Sequence, residues 1–198
     1  MRKYIGFLAI SVFLASSIYA QNMQKEHRSK GCKSKYCQAI KKGNRASKIL
    51  LKTLKSNLKK SLKKGKIDEA LKFCATNAAK LTGEVNNKLE KGVSVKRVSL
   101  KPRNPANEAN SEEKKVLEAL EILNKEHVKL PRFLIQEKEN EYIYYKPLVI
   151  KKGLCLKCHG TNIAPTLAKK IKEYYPTDKA TGYKMGDLRG AVVVTIKK

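Results

Sequence analysis

The 198-residue chain reads as an α+β domain, an antiparallel sheet with helices ahead of it and beside it. Three observations predict this class. Leucines 50, 54, 58 and 62 recur every fourth residue, the spacing of an amphipathic helix. Two strand-like runs, 133–137 and 142–150, flank a polar turn at 138–141 and read as a β-hairpin. A valine-rich run, 189–196, supplies a last strand. Helices, strand, helix, hairpin and strand in that order, with no internal repeat, favour an antiparallel sheet over alternating βα units.

Taken in order, residues 1–20 have the form of a secretory signal. Arg2 and Lys3 form a charged start, 4–15 is apolar, and Ala20 is a small residue suited to cleavage. Retained, this segment would be a membrane anchor. No other stretch is long and apolar enough to cross a bilayer, so the remainder is expected to be exported, with a periplasmic location. Residues 21–45 are polar and basic and read as an irregular extension, and 46–198 as the domain proper.

The first helix spans 46–62, with Gly65 expected to end it. A second carries Ile67, Ala70, Leu71, Cys74, Ala78, Leu81 and Val85 on one face. Residues 93–100 alternate as a strand, with Val93, Val95 and Arg97 on one face and Ser94, Lys96 and Val98 on the other. Pro102 and Pro105 exclude regular structure from 101–107. Ser111, Glu112 and Glu113 start a helix that runs to about 126, with Val116, Leu117, Leu120 and Leu123 inward. After the hairpin, Pro165 opens a short helix that Pro176 closes.

The formal net charge is +27, or +25 without the two charges of Arg2 and Lys3. The excess is spread as lysine, and its plain reading is a solvated surface. It would also suit an acidic redox or signalling partner protein, or a weak association with an anionic membrane surface. Nucleic acid is the default partner of so basic a chain, and export removes it.

The run Cys155-Leu156-Lys157-Cys158-His159-Gly160 carries the chemistry. C-x-x-C-H is the attachment signature of a c-type haem, two thiols for two vinyl groups and a histidine for the iron. A zinc ribbon would need a second matching pair, and Cys32 and Cys37 form one C-x4-C with no histidine after it. In an oxidising compartment those two are candidates for a small-loop disulfide. Cys74 is left without a partner, on an apolar helical stripe. A small electron-carrier cytochrome is all-helical with its motif near the start, and a four-helix cytochrome has no strands. Neither fits the strands read here.

Three stretches in this order carry a more specific likeness: Ser99-Leu100-Lys101-Pro102-Arg103-Asn104-Pro105-Ala106-Asn107, the haem motif, and Tyr175-Pro176 through Asp178, Ala180, Thr181, Gly182 and Tyr183 to Gly186-Asp187-Leu188-Arg189-Gly190-Ala191. Together they resemble the c-type-haem-binding PAS-like domain family, over about residues 46–197. The resemblance implies a PAS-like antiparallel sheet cradling one covalent haem c per chain. It also implies a cysteine from an early helix as second axial ligand, a position that Cys74 matches. The extension with Cys32 and Cys37 lies outside the pattern as quoted.

Site expectations follow. Cys155 and Cys158 attach the cofactor and His159 is the proximal ligand. Cys74 is the expected distal ligand, with Met185 and His127 as competitors, and His27 plays no part at the iron. Arg103 and Arg189 are candidates to pair with propionates, because guanidinium forks fit carboxylates. Tyr144, Tyr145 and Leu154 precede the motif as candidate walls, and Gly182, Gly186 and Gly190 permit tight turns. The function expected is a periplasmic monohaem protein, either a redox or small-ligand sensing module or a single-electron carrier, and not an enzyme. The alternative is a haem-free binding module in which C-x-x-C-H holds zinc or a disulfide.

Overall fold

The 42-residue helix α1 (Lys35–Thr76) begins the described part of the structure, a computed structural model covering residues 33–198, apart from the side chains of residues 65 and 66. Residues 1–20, His27 and Cys32 lie outside the described residues; Cys37 is disulfide-bonded. The chain divides into two compact units, Met1–Gln38 and Ala39–Lys198. The sheet, its cores and the site all belong to the second.

Two expectations about the first helix are corrected. The extension is helical from Lys35 onward, and no break occurs at Gly65. In the first case lysine composition hid an apolar stripe: Ala39 of the extension is buried in one core with Ala46, Leu50 and Leu54 of the predicted helix. In the second, an interior glycine costs about 1 kcal/mol relative to alanine, which tertiary packing overrides. Just beyond it, Ile67 and Leu71 pack with Leu167, Ile171 and Tyr175. Asn77 marks the joint with α2 (Ala78–Asn87).

Strand β1 (Val93–Val98) follows α2, and a single 3-10 turn at Pro105–Asn107 corrects the expectation that the Pro-rich segment has no regular structure. Proline tolerates the first position of such a turn because the N–H it lacks would be unpaired there. The Asn104 side chain caps it by accepting from the Ala106 N–H at 2.9 Å. Helix α3 (Ser111–Lys125) is held by a reciprocal capping box between Asn110 and Glu113. Strands β2 (Leu134–Glu137) and β3 (Glu141–Val149) form the hairpin. Helices α4 (Gly153–His159) and α5 (Pro165–Tyr174) precede the closing strand β4 (Leu188–Lys197).

The four strands form one sheet in the order β1-β4-β3-β2, every pair antiparallel. The α+β class with an antiparallel sheet is therefore as the sequence predicted. Side chains alternate between faces. Val95, Tyr142, Tyr144, Val192 and Val194 pack under α1 and α2, while Val98, Ile143, Tyr145, Ala191 and Val193 pack with Leu117 and Leu120 of α3. Gly43 lets α1 approach β3 closely, since an added Cβ there would collide with the Tyr144 ring. Beside it the Tyr144 hydroxyl donates to Asn44 Oδ1 at 2.9 Å.

Strand β1 is an edge, and its outer backbone groups need partners. Asn86 supplies them for Val95: its Nδ2 donates to the Val95 carbonyl at 2.9 Å and its Oδ1 accepts from the Val95 N–H at 2.7 Å. Replacing Asn86 with alanine is expected to lower unfolding free energy by about 1–3 kcal/mol, the cost of stranding such groups. Urea denaturation at unchanged m-value checks this.

Candidate cofactor site

An every-fourth-residue stripe gains about 40° per step on a helix of 100° per residue. The leucine stripe of α1 accordingly winds off the sheet: Leu50 and Leu54 are buried in the core, whereas Leu58 and Leu62 line a cavity. The cavity measures about 410 Å³, within the roughly 300–1,000 Å³ usual for cofactor and ligand pockets. Its apolar wall comes from Leu58, Leu62, Ile67, Ala70, Leu71, Ala78, Ala79 and Leu154. Its polar wall comes from Lys96, Arg97, Arg103, Asn104, Asn107 and Arg189. Cys74, Cys155, Cys158 and His159 line it as well.

The motif lies on helix α4, an element the sequence reading did not assign. Helical geometry puts residues three and four apart on one face, and this turns Cys155, Cys158 and His159 together toward the cavity. Two small cores wedge α4 in place. Cys158 packs against the Leu71, Leu167, Ile171 and Tyr175 group, and Cys155 and Leu156 against Ile150, Ala180 and Tyr183. Cys74, Cys155 and Cys158 are free thiols. Burial pushes the thiols of Cys74 and Cys158 above the usual range, and nearby Arg97 and Arg103, respectively, act against it.

His159 is oriented through its far nitrogen. Nδ1 lies 2.8 Å from the Ala180 carbonyl, which can only accept, so Nδ1 carries the hydrogen. Burial, with Arg189 and Arg103 adding to it, pushes the ring pKa down to about 3. The neutral ring thus presents a bare Nε2, the tautomer that a metal ligand needs. The backbone is pinned as well: the Tyr183 N–H donates to the His159 carbonyl at 2.9 Å, and the Gly182 N–H to the Gly160 carbonyl at 2.9 Å.

Arg103 ties this region together. Its Nη2 donates to the Cys158 carbonyl at 2.6 Å and pairs with Asp178 Oδ2 at 3.0 Å, with both side chains about one-tenth exposed or less. Asp178 in turn accepts from the Ala180 N–H at 2.8 Å. These contacts of Arg103 all run through Nη2, and its Nε is buried without a partner. Arg189 donates through Nη1 to Ser99 Oγ at 2.7 Å and to the Lys101 carbonyl at 3.1 Å, and lies 5.4 Å from the Tyr183 ring centroid.

Several residues that the sequence suggested lie elsewhere. Tyr145 is a correction: its ring is buried on the α3 face of the sheet, opposite the face that β1 presents to the cavity with Arg97. Tyr144 packs beneath α1. Met185 is 52 % exposed in the loop before β4, and neither it nor His127 lines the cavity. His127 is exposed and occupies a left-handed backbone conformation after α3. Arg97 and Asp178 are site residues that the sequence reading did not single out. The signal for Arg97 was present, a cation at the end of an otherwise apolar strand face.

No curated protein matches the chain. A solved structure described as the cyanobacterial heme-protein Tll0287 is similar at 28% identity, covering 61% of this chain and 70% of that one, with a TM-score of 0.49. The Tll0287-like family model matches residues 15–197, taking in the extension with Cys32 and Cys37, and the chain belongs to that family.

Proposed function

We propose that the cavity holds one haem c, attached through Cys155 and Cys158, with His159 Nε2 as proximal and Cys74 as distal ligand. The observation that carries this reading is the meeting of these four side chains, from two helices far apart in sequence, on one amphipathic cavity. Each thiol adds its S–H across one vinyl double bond, sulfur to one carbon and hydrogen to the other, so the two thioethers need no outside oxidant. The apolar wall suits a macrocycle and the cationic wall its carboxylates. Family membership agrees, since the protein whose name the family carries is described as a heme-protein.

The alternative, zinc on the same motif, has less support. Structural zinc needs four ligands within about 2.0–2.3 Å of one point, and no group of three or more His, Cys, Asp or Glu among the described residues is arranged to hold a metal ion.

Bound there, the haem would supply a one-electron couple, with Cys74 and His159 as the residues that would hold its iron. Cys74 sits in the last turn of α1, a helix about 63 Å long at 1.5 Å per residue. Release of Cys74, on reduction or by a diatomic ligand, would free that turn beside the joint at Asn77. This favours a redox or small-ligand sensing module, and retention of both ligands in both redox states would favour single-electron transfer instead. We assign no catalysis, because among the described residues the one histidine lining the cavity is the proposed proximal ligand. A periplasmic location belongs to this reading, supported by the signal-like character of residues 1–20.

A lone domain of this kind needs a partner to read or accept its state. Lys41, Arg45, Lys48, Lys52, Lys55 and Lys59 are exposed along α1, and no acidic residue occurs between residues 35 and 67. This face suits an acidic partner protein. Steering of that kind fails as ionic strength rises. Co-sedimentation with anionic lipid vesicles instead would assign the face to a membrane surface.

Absorption spectra in both redox states, with and without carbon monoxide, test the sensing reading. Displacement of a thiolate-type spectrum by carbon monoxide supports it. An unaltered six-coordinate spectrum contradicts it.

A further inference from the structure

Among the described residues, Arg97 is the cavity-lining cation whose side chain has no ion pair or hydrogen bond. It stands near the end of β1, on the face whose Val93 and Val95 are buried with α1 and α2, and it lines the cavity. The other cations of that wall have protein partners. Lys96 pairs with Glu113 at 2.9 Å, Arg103 with Asp178, and Arg189 with Ser99 and the Lys101 carbonyl. Among the described residues Arg97 makes no ion pair, and its Nε is buried with no acceptor. Burial holds its pKa below the ordinary arginine value, yet a guanidinium stays charged at any ordinary pH.

Arg97 is half-buried and its sealed Nε has no acceptor, so part of its hydration is lost without the compensation that an anion would give. A ligand that supplies the missing anion would remove that cost. The missing group must be an anion that accepts a guanidinium fork, as a carboxylate or a phosphate does, and the haem of the reading above brings carboxylates. Arg103 brings a second unpartnered buried Nε to the same cavity. A group lying between these two side chains would satisfy both donors.

We propose that Arg97 is a carboxylate-binding subsite of the cavity and that its occupant is a propionate of the haem. This rests on the haem reading above. It adds a residue on β1 to the two arginines first expected in that role, each of which meets its protein partners through a single terminal nitrogen, Nη2 of Arg103 and Nη1 of Arg189.

The test uses the full chain with Cys155→Ala and Cys158→Ala, in which porphyrin binding is reversible. Iron protoporphyrin IX and its dimethyl ester are titrated into this chain and into the same chain carrying Arg97→Leu. With Arg97 present the diacid is expected to bind about tenfold more tightly than the ester, the ratio one charge-assisted hydrogen bond supplies. In Arg97→Leu the ratio falls toward one, and Arg97→Lys recovers part of it. An unchanged ratio in Arg97→Leu overturns the proposal while leaving the haem reading intact. If neither porphyrin binds with Arg97 present, the haem reading itself fails, and the occupant with it.

Thermal unfolding without porphyrin gives an independent readout. Arg97→Leu is expected to raise the midpoint of the empty chain, since it removes an uncompensated charge, and to lose that advantage once the diacid is bound. A lower midpoint in the empty chain would mark Arg97 as structural and overturn the proposal.

Discussion

Arg103→Ala is expected to lower the unfolding free energy by about 3–5 kcal/mol, the usual cost of stranding one member of a buried ion pair. Asp178 would remain at 8% side-chain exposure with no cation beside it, and the Cys158 carbonyl would lose its 2.6 Å donor. The loop at 178–180 would also loosen, and with it the Ala180 carbonyl that orients His159. Two further variants separate the pair from its packing. The double variant Arg103→Ala with Asp178→Ala should cost clearly less than the two single changes added together, because neither charge is then left alone. Arg103→Lys should rescue only in part, since Nη2 alone meets the Cys158 and Ala180 carbonyls and Asp178, and an ammonium on a differently shaped stem has to reach that same point. Strict additivity in the double variant would show that the pair does not act as a unit.

The second large effect is expected at Cys74. In Cys74→Ser the oxidised protein should lose thiolate-type low-spin bands, and its midpoint potential should rise by on the order of 0.1 V, a modest part of the roughly 0.8 V that axial ligands span. The direction follows from charge: a thiolate favours Fe(III), and a neutral replacement removes that preference. Cys74 is placed for this by the final turn of α1, among Ala70, Leu71 and Ala78 on the apolar wall. Met185→Leu serves as the comparison and should leave spectrum and potential unchanged, because Met185 stands half in solvent outside the cavity. Spectroelectrochemistry of the two variants beside the parent measures both effects. A spectrum that responds to Met185→Leu and not to Cys74→Ser would reverse the assignment.

How far the sequence carried this picture differs from element to element. The hairpin, the valine-rich closing strand and the helix after Ser111 were legible because their signals are local: alternation, a polar turn and a capped start. Gly65 misled because glycine's penalty is small beside the packing of Ile67 and Leu71, and that packing involves α5, about 100 residues downstream. The helical state of the motif was missed for a similar reason. Seven residues carry too little periodicity to read, and α4 is held by contacts from Ile150 on one side and Leu71 on the other.

Among site residues, Cys155, Cys158 and His159 were legible by spacing alone. Cys74 emerged from counting thiols and from a family likeness. Tyr145 was misplaced because adjacent tyrosines on a strand look alike in sequence while pointing to opposite faces. Arg97 could have been found from its position on an apolar strand face. Its lack of a counter-ion, by contrast, is a property of the assembled cavity. The same holds for Asp178, whose pairing with Arg103 joins residues 75 positions apart.

The most direct test of the central claim is the fate of the chromophore when the protein, matured with the haem-attachment machinery, is unfolded in acidified organic solvent. Covalent haem c predicts that colour and iron stay with the polypeptide, that its mass exceeds the bare chain by one haem, and that Cys155→Ala with Cys158→Ala removes both. A colourless chain, or a haem that passes wholly into the solvent, would contradict the account.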